Sequence, residues 1–179
     1  MKSSFLVGLS STAIWTFGAN IMRDELGFSV DDVAIGWVVL GTIGIAASIA
    51  GATVQLFGLQ SVRRFSLACM SLALATLAAA SAYPPLAYIA LGLFGAAYIA
   101  STGVLLLWGI SIYPKQPALG LGAPFLVVAL GQTAGAPIFG LVWDTGGSVL
   151  ALLIFAALIA SGSSFTALKK PCVDEKPQI

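Results

Sequence analysis

The stretch Gly51-Ala-Thr-Val-Gln-Leu-Phe-Gly58-Leu-Gln-Ser-Val-Arg63-Arg64 separates two long apolar runs and contains the only adjacent pair of arginines in the chain. The whole chain of 179 residues is 59% hydrophobic, only 8% charged, and has a mean hydropathy of +1.01. Soluble domains carry about 25% charged residues, so this chain has too few charged residues to form a water-exposed surface. The composition predicts an integral membrane protein in which residues 51–64 form a polar joint between two membrane spans.

Apolar segments on both sides of this joint are long enough to cross a bilayer as helices, which takes about 20 residues. Polar or proline-containing breaks, such as Tyr83-Pro-Pro85, separate them, because proline ends a helix. Ser29 followed by Asp32 predicts a self-capped helix start. We therefore predict an all-α membrane domain over about residues 1–168 and a polar cytoplasmic tail over 169–179. The six expected spans are about 4–22, 33–56, 65–82, 86–112, 119–142 and 149–168.

The basic residues indicate the orientation of the six spans. Seven of the eight fall on the side that would hold both termini, and these are Lys2, Arg63, Arg64, Lys115, Lys169, Lys170 and Lys176. Arg23 alone falls on the other side, together with most of the acidic residues. Loops rich in Lys and Arg stay in the cytoplasm. The pattern predicts cytoplasmic termini, and the first apolar segment is expected to be retained as a span.

The chemistry that the chain lacks narrows the possible functions. The sequence contains no histidine, and its two cysteines, Cys69 and Cys172, are far apart, so we expect no metal site, no cofactor and no disulfide. No acidic or basic residue falls inside a predicted span, which is where a proton pathway would show one. We expect no enzyme and no nucleic-acid partner; any proton-carrying carboxylate would come from a partner.

Polar and aromatic residues at mid-span depth are the candidates for contact with a small molecule. A buried amide in hydrocarbon costs several kcal/mol unless it is hydrogen-bonded, so Gln132 must face other helices or a water-filled cavity. Gln132 could contact a substrate or form a structural hydrogen bond between helices, and the sequence fits both roles. The aromatic candidates, Trp15 and Tyr98, could likewise fill the core of the helix bundle instead of lining a cavity. Trp37 and Trp143 are expected as anchors at the membrane borders. The cavity candidates are Ser11, Thr12, Trp15, Asn20, Tyr98, Thr102 and Gln132.

The Gly51–Arg64 stretch resembles the loop Gly-x-Leu-Ala-Asp-Arg-x-Gly-Arg-Arg between the second and third helices of major facilitator superfamily transporters. Gly51 and Gly58 occupy its two glycine positions, and Arg63 and Arg64 supply basic charge slightly downstream. Gln55 stands in the place of the acidic residue, as in the weaker copy of this loop in the second half of those proteins. The resemblance implies a cytoplasmic gating loop, whereas the residues alone also fit a simple topology signal.

The fifth segment is similar to the glycine- and proline-rich fifth and eleventh helices of the same family. Small residues let membrane helices approach closely, and proline bends them locally. The residues to which we assign packing or bending are Gly122, Gly131, Gly135, Pro137 and Gly140.

These resemblances together imply the C-terminal six-helix half of a major facilitator transporter, built from two inverted three-helix repeats over about 1–82 and 86–168. The implied function is secondary active transport of a small molecule by alternating access, as in bacterial small-solute or efflux permeases. The implied partners are the lipid bilayer, a small-molecule substrate, and either an N-terminal six-helix half or a second copy. The alternative is a membrane scaffold or assembly subunit that transports nothing.

Overall fold

The computed structural model describes residues 2–47 and 50–165, and the described chain is helical, with no β-strand. The predicted tail 169–179 and the end of the sixth span lie outside the described residues. A five-residue π-helical turn, Ile21–Glu25, follows the second of seven α-helices. The α-helices are α1 (Lys2–Trp15), α2 (Gly18–Asn20), α3 (Val30–Ala47), α4 (Ala50–Phe57), α5 (Leu59–Ala79), α6 (Leu86–Ile112) and α7 (Pro117–Phe165).

Five helical segments of the described chain are long and apolar enough to cross a membrane. They are Lys2–Glu25, Val30–Ala47, Leu59–Ala79, Leu86–Ile112 and Pro117–Ser163. The prediction of an all-helical protein with membrane-spanning character is confirmed. The count differs from the expected six, because the fifth and sixth predicted segments lie within the single helix α7.

Helix α7 is folded back on itself at Gly147. This glycine has φ 83° and ψ 165°, a backbone conformation that is open to glycine and strained for other residues. Phe139 and Phe155 lie on opposite sides of the break, and their ring centroids are 5.0 Å apart. Sixteen residues of straight helix would separate them by about 24 Å. The loop expected over 143–148 is therefore replaced by helix that bends sharply at one residue.

The joint between the second and third predicted spans is also shorter than expected. Helix α4 continues to Phe57 and α5 begins at Leu59, so Gly58 alone connects them with φ +78°. The expected loop up to residue 64 is helical, because every residue from Leu59 to Arg64 tolerates a helix and Gly58 supplies the turn.

Close helix crossings hold the bundle together. Helix α1 packs chiefly against α7, while α6 lies between α3 and α5. At three helix pairs a glycine on one helix lies against the main chain of the other: Gly8 against Val128, Gly95 against Leu40, and Gly109 against Gly120. Small residues let membrane helices approach closely, and glycine has this role at all three.

The start of α3 is capped as the sequence predicted. The Asp32 carboxylate accepts a hydrogen bond from the Ser29 hydroxyl at 2.6 Å and another from the Ser29 main-chain N–H at 3.1 Å. The Asp32 N–H in turn donates to Ser29 Oγ at 3.1 Å. Tyr88 on α6 donates to the second carboxylate oxygen at 3.4 Å, and this contact fixes the end of α3 against α6.

Candidate functional site

The first apolar segment is not one continuous helix. Helix α1 ends at Trp15, the chain turns at Thr16 and Phe17, and a short α2 leads into the π-helical turn Ile21–Glu25. Phe17 has φ −111° and ψ −10°, outside the values of a regular α-helix. Breaks and π-bulges inside membrane helices occur frequently at functional sites. The break here follows directly after one of the predicted site residues, Trp15.

Trp15 is the centre of an aromatic cluster contributed by three helices. Its ring stacks on Trp37 of α3 at a centroid distance of 5.7 Å, and meets Tyr98 of α6 edge-on at 5.5 Å. Phe94 lies 6.0 Å from Trp15 and stacks on Tyr98 at 5.6 Å. Although it has three aromatic neighbours, Trp15 keeps 42% of its surface exposed. The cluster therefore presents a rigid aromatic surface rather than a sealed core.

Gln132 adds a polar group from α7 to this cluster. Its Nε2 donates a hydrogen bond to Ser11 Oγ of α1 at 3.2 Å, and the Tyr98 hydroxyl lies within reach of both Gln132 and Trp15. Thr12 donates to the Gln132 main-chain oxygen at 3.3 Å. The sequence left two roles open for Gln132; the structure shows the helix-to-helix bond and places the half-buried amide, like the Trp15 indole, next to Tyr98.

The cluster offers aromatic faces and hydrogen-bonding groups but no ionic contact. It consists of stacked aromatic rings, one amide and hydroxyl groups, and it contains no acidic or basic side chain. An amide offers both donors and acceptors, and apolar walls with a few convergent polar groups are typical of small-molecule sites. The arrangement suits a planar or amphipathic molecule that stacks on Trp15 and hydrogen-bonds to Gln132.

Two other cavity candidates lie apart from this cluster. The Thr102 hydroxyl donates to the carbonyls of Tyr98 and Ile99 in its own helix and lines a small void beside Pro124. Asn20 is exposed on α2, and its side chain makes no hydrogen bond to the described residues. The structure thus brings together five of the candidates and leaves out Thr102 and Asn20; the five are Ser11, Thr12, Trp15, Tyr98 and Gln132.

The two adjacent arginines have opposite environments. Arg63 is 2% exposed, while Arg64 is exposed. The Arg63 guanidinium donates to Gln60 at 3.2 Å and, through one nitrogen, to Ser3 Oγ and the Gly162 carbonyl at 3.4 Å each. It therefore ties α5 to the beginning of α1 and to the last turns of α7.

The remaining residues of the predicted gating loop lie in α4 or directly after it. Gly51 is part of α4, and Gln55 and Gly58 are exposed. Which arginine is buried could not be predicted from the sequence, because adjacent residues on a helix point about 100° apart and the packing of the neighbouring helices determines which side is buried.

The small residues of α7 do not share one role. A Cβ on Gly131 would overlap the main chain of Phe5 and Leu9, and one on Gly135 would lie 2.7 Å from the Leu9 carbonyl. Gly122 has open space around it, and Gly140 is approached only by the Phe17 ring, at 3.8 Å. Pro137 lies inside the helix and is exposed.

A polar contact fixes the opposite end of the bundle. The Ser148 hydroxyl, buried beside the Gly147 break, donates a hydrogen bond to the Glu25 carboxylate at the end of the π-helical turn. It connects the first membrane segment to the bend in α7. Among the described residues, no group of three or more His, Cys, Asp or Glu could hold a metal ion.

Comparison with known proteins found no matching family model, curated protein or solved structure.

Sequence reasoning missed two members of the cluster. Trp37 was expected at a membrane border, but it stacks on Trp15, and Phe94 was not singled out. Trp143, the other expected anchor, packs against Phe17 and Phe139. The spacing of Phe94 and Tyr98, four residues apart on one helix face, is the one signal that could have drawn attention to Phe94.

Proposed function

We propose that the chain is one half of a secondary active transporter of the major facilitator type, which moves a small molecule by alternating access and without covalent chemistry. The observation that carries the proposal is the meeting of Trp15, Tyr98 and Gln132 from three different helices beside a break in the first helical segment. Transporters bind substrate near the midplane, between discontinuous helices.

The fold-back of α7 supports a chain that crosses the membrane six times rather than five. If the bend at Gly147 lies at one membrane surface, the parts before and after it each cross once. Two of the three glycine crossings then support an inverted repeat. The first span meets the fifth through Gly8 and Val128, and the fourth meets the second through Gly95 and Leu40. Two three-helix repeats would produce such a matched pair of contacts.

The contacts at the two ends of the bundle support the proposed orientation. Ser3, Arg63 and Gly162 meet at one end, and Glu25 meets Ser148 at another point, where α7 bends. The first group carries the basic charge, so the positive-inside tendency places it in the cytoplasm. The proposed location is the inner membrane of a bacterium.

A partner is part of the proposal, because the cluster remains open. Helix α3 buries only Gly36, Leu40 and Gly44, although most of its other residues are apolar. Trp15 is likewise half exposed. We propose that an N-terminal six-helix half, or a second copy of this chain, covers the open side and encloses the substrate between the two halves.

Substitution of the cluster residues tests the proposed site. Cells expressing the chain with its partner half are tested for uptake and efflux of a panel of labelled small metabolites and dyes. For any compound that is moved, Gln132→Ala and Trp15→Ala should each lower the transport rate about five- to thirtyfold, because each removes a contact worth about 1–2 kcal/mol.

Thr133→Ala is the matched control for Gln132→Ala. Thr133 is exposed and bonds only to the Ala129 carbonyl in its own helix, so its loss should leave transport unchanged. Rates for Gln132→Ala and Trp15→Ala equal to that of Thr133→Ala would refute the assignment. A chain that moves none of the compounds would favour the scaffold alternative.

A further inference from the structure

The Trp15 cluster lies near a strongly acidic end of the bundle. The Glu25 carboxylate accepts a hydrogen bond from Ser148 there, beside the bend in α7, and α3 begins at the same end after a short loop. Of the described charged residues at this end, five are acidic and only Arg23 is basic, which leaves a net formal charge of −4. We call this region the acidic end; its carboxylates belong to Asp24, Glu25, Asp31, Asp32 and Asp144.

The acidic end is close enough to the cluster to act on it electrostatically. Trp37 follows Asp32 in α3 at about 7.5 Å along the helix axis, and Tyr88 bonds Asp32 to α6, the helix that carries Tyr98. Charges act over about 8 Å at physiological salt. A region with one sign of charge concentrates ligands of the opposite sign and speeds their association. A cation that approaches from this end is therefore favoured, and an anion is repelled.

The cluster itself also favours positive charge. The faces of aromatic rings attract cations that lie within about 6 Å of the ring centroid, and tryptophan does so most strongly. Helix α1 ends at Trp15, and the last carbonyls of a helix carry partial negative charge. Gln132 donates to Ser11 through Nε2, so its Oε1 remains as an acceptor. The cluster contains no Lys or Arg that would oppose these groups.

An organic cation fits these groups better than a metal ion does. A calcium ion takes 6–8 oxygen ligands, among them carboxylates, and the cluster has no carboxylate. A quaternary ammonium group carries its charge inside a shell of methyl groups, and proteins recognise such groups with aromatic cages. The apolar shell suits the rings of Trp15, Trp37 and Tyr98, and the charge suits their faces.

We infer that the Trp15 cluster binds a small quaternary ammonium compound, whose charged group lies against the Trp15 ring while a hydroxyl group donates to Gln132. The inference rests on the proposed function, because it names the substrate class of the same site. The two can fail separately. Binding of such a cation without any transport would leave this inference standing, whereas transport of uncharged compounds alone would overturn it and leave the proposed function standing.

Choline and 3,3-dimethylbutan-1-ol are the probes that test this inference. They share one shape and one hydroxyl group, and differ in having a charged nitrogen or a neutral carbon at the branched centre. Their binding to the purified full chain is measured by isothermal titration calorimetry in a maltoside detergent, which carries no ammonium group. We expect choline to bind about tenfold more tightly than the alcohol. Equal affinities, weaker binding of choline, or no saturable binding of choline would overturn the inference.

Substitution of Trp15 shows whether the aromatic ring is the source of this preference. Trp15→Leu keeps an apolar side chain but removes the ring, so the ratio of the two affinities should fall to less than about threefold. Trp15→Phe keeps a weaker ring and should retain an intermediate ratio. Trp143→Leu makes the same change at a tryptophan that packs against Phe17 and Phe139 outside the cluster, and should keep the full ratio. Ratios that are equal in Trp15→Leu and Trp143→Leu would contradict the assignment.

Neutralising part of the acidic end tests the long-range contribution. Asp24→Asn combined with Asp31→Asn removes two exposed charges and should weaken choline binding about threefold at low salt, with no change for the alcohol. Lys115→Gln, an exposed change in the link between α6 and α7, is the control and should leave both affinities unchanged. An Asp24→Asn, Asp31→Asn protein that binds choline as tightly as the parent would overturn the role of the acidic end.

Discussion

Gly131→Ala is expected to destabilise the protein by about 1–3 kcal/mol, the cost of overpacking a tight contact. The added methyl group would lie 2.8 Å from the Leu9 main-chain nitrogen and would overlap the Phe5 carbonyl. Main-chain atoms cannot rotate away as a side chain can. Helices α1 and α7 would have to separate along their main contact. Thermal unfolding of the purified protein, followed by tryptophan fluorescence, measures the change.

Gly122→Ala provides the matched control in the same helix. No described atom lies within 4 Å of a Cβ built there, and alanine is about 1 kcal/mol more favourable than glycine inside a helix. This variant should therefore be as stable as the parent or more stable. The same Gly→Ala change in α7 is thus expected to lower stability at Gly131 and to maintain or raise it at Gly122. This difference would show that packing, and not helix propensity, determines the effect at Gly131. Equal shifts in the two variants would show that α1 and α7 do not cross at Gly131.

Arg63→Ala is expected to be the other strongly destabilising change, by about 3 kcal/mol, in the range observed when a buried hydrogen-bond network is broken. The substitution removes the bonds to Ser3, Gln60 and the Gly162 carbonyl. These bonds join α5 to α1 and α7, so their loss should also make the ends of those helices more accessible. Hydrogen exchange followed by mass spectrometry would detect the opening at Ser3 and Gly162.

A substitution of the neighbouring Arg64 shows whether Arg63 acts through its hydrogen bonds or only through its charge. Arg64→Ala removes the same formal charge from an exposed position, and surface substitutions usually change stability by less than about 0.5 kcal/mol. If both variants unfold at the same temperature, the two arginines act only through the charge that orients the chain in the membrane.

Composition and charge were sufficient for the class of the protein and for much of its local structure. The apolar segment 86–112 coincides with α6, and the Ser29–Asp32 cap forms as its spacing indicates. The cap depends only on residues within one helical turn, and the span depends only on the length of one apolar run. Such features can be derived from local sequence because no other part of the fold decides them.

The rotation of each helix about its own axis could not be predicted from the sequence, and this rotation determines which residues form the site. Trp15, Tyr98 and Gln132 were each candidates, but their meeting with Trp37 follows from how four helices cross. The same is true of Gly131 and Gly122, which look alike in sequence and differ only in what faces them. The continuity of α7 through residues 143–146 was missed because the polar residues there suggested a loop, whereas Gly147 alone makes the bend.

Water access to the Trp15 cluster tests the central claim most directly, and it requires no known substrate. Tyr98→Cys is placed in a Cys69→Ala, Cys172→Ser background and treated with a membrane-impermeant maleimide, first in intact cells and then in inverted vesicles. Thiols react as hydrated thiolates, so a cavity with alternating access predicts labelling from both sides. Leu72→Cys, on an exposed apolar face of α5, should react from neither. A Tyr98→Cys protein that stays as unreactive as Leu72→Cys from both sides would contradict the account.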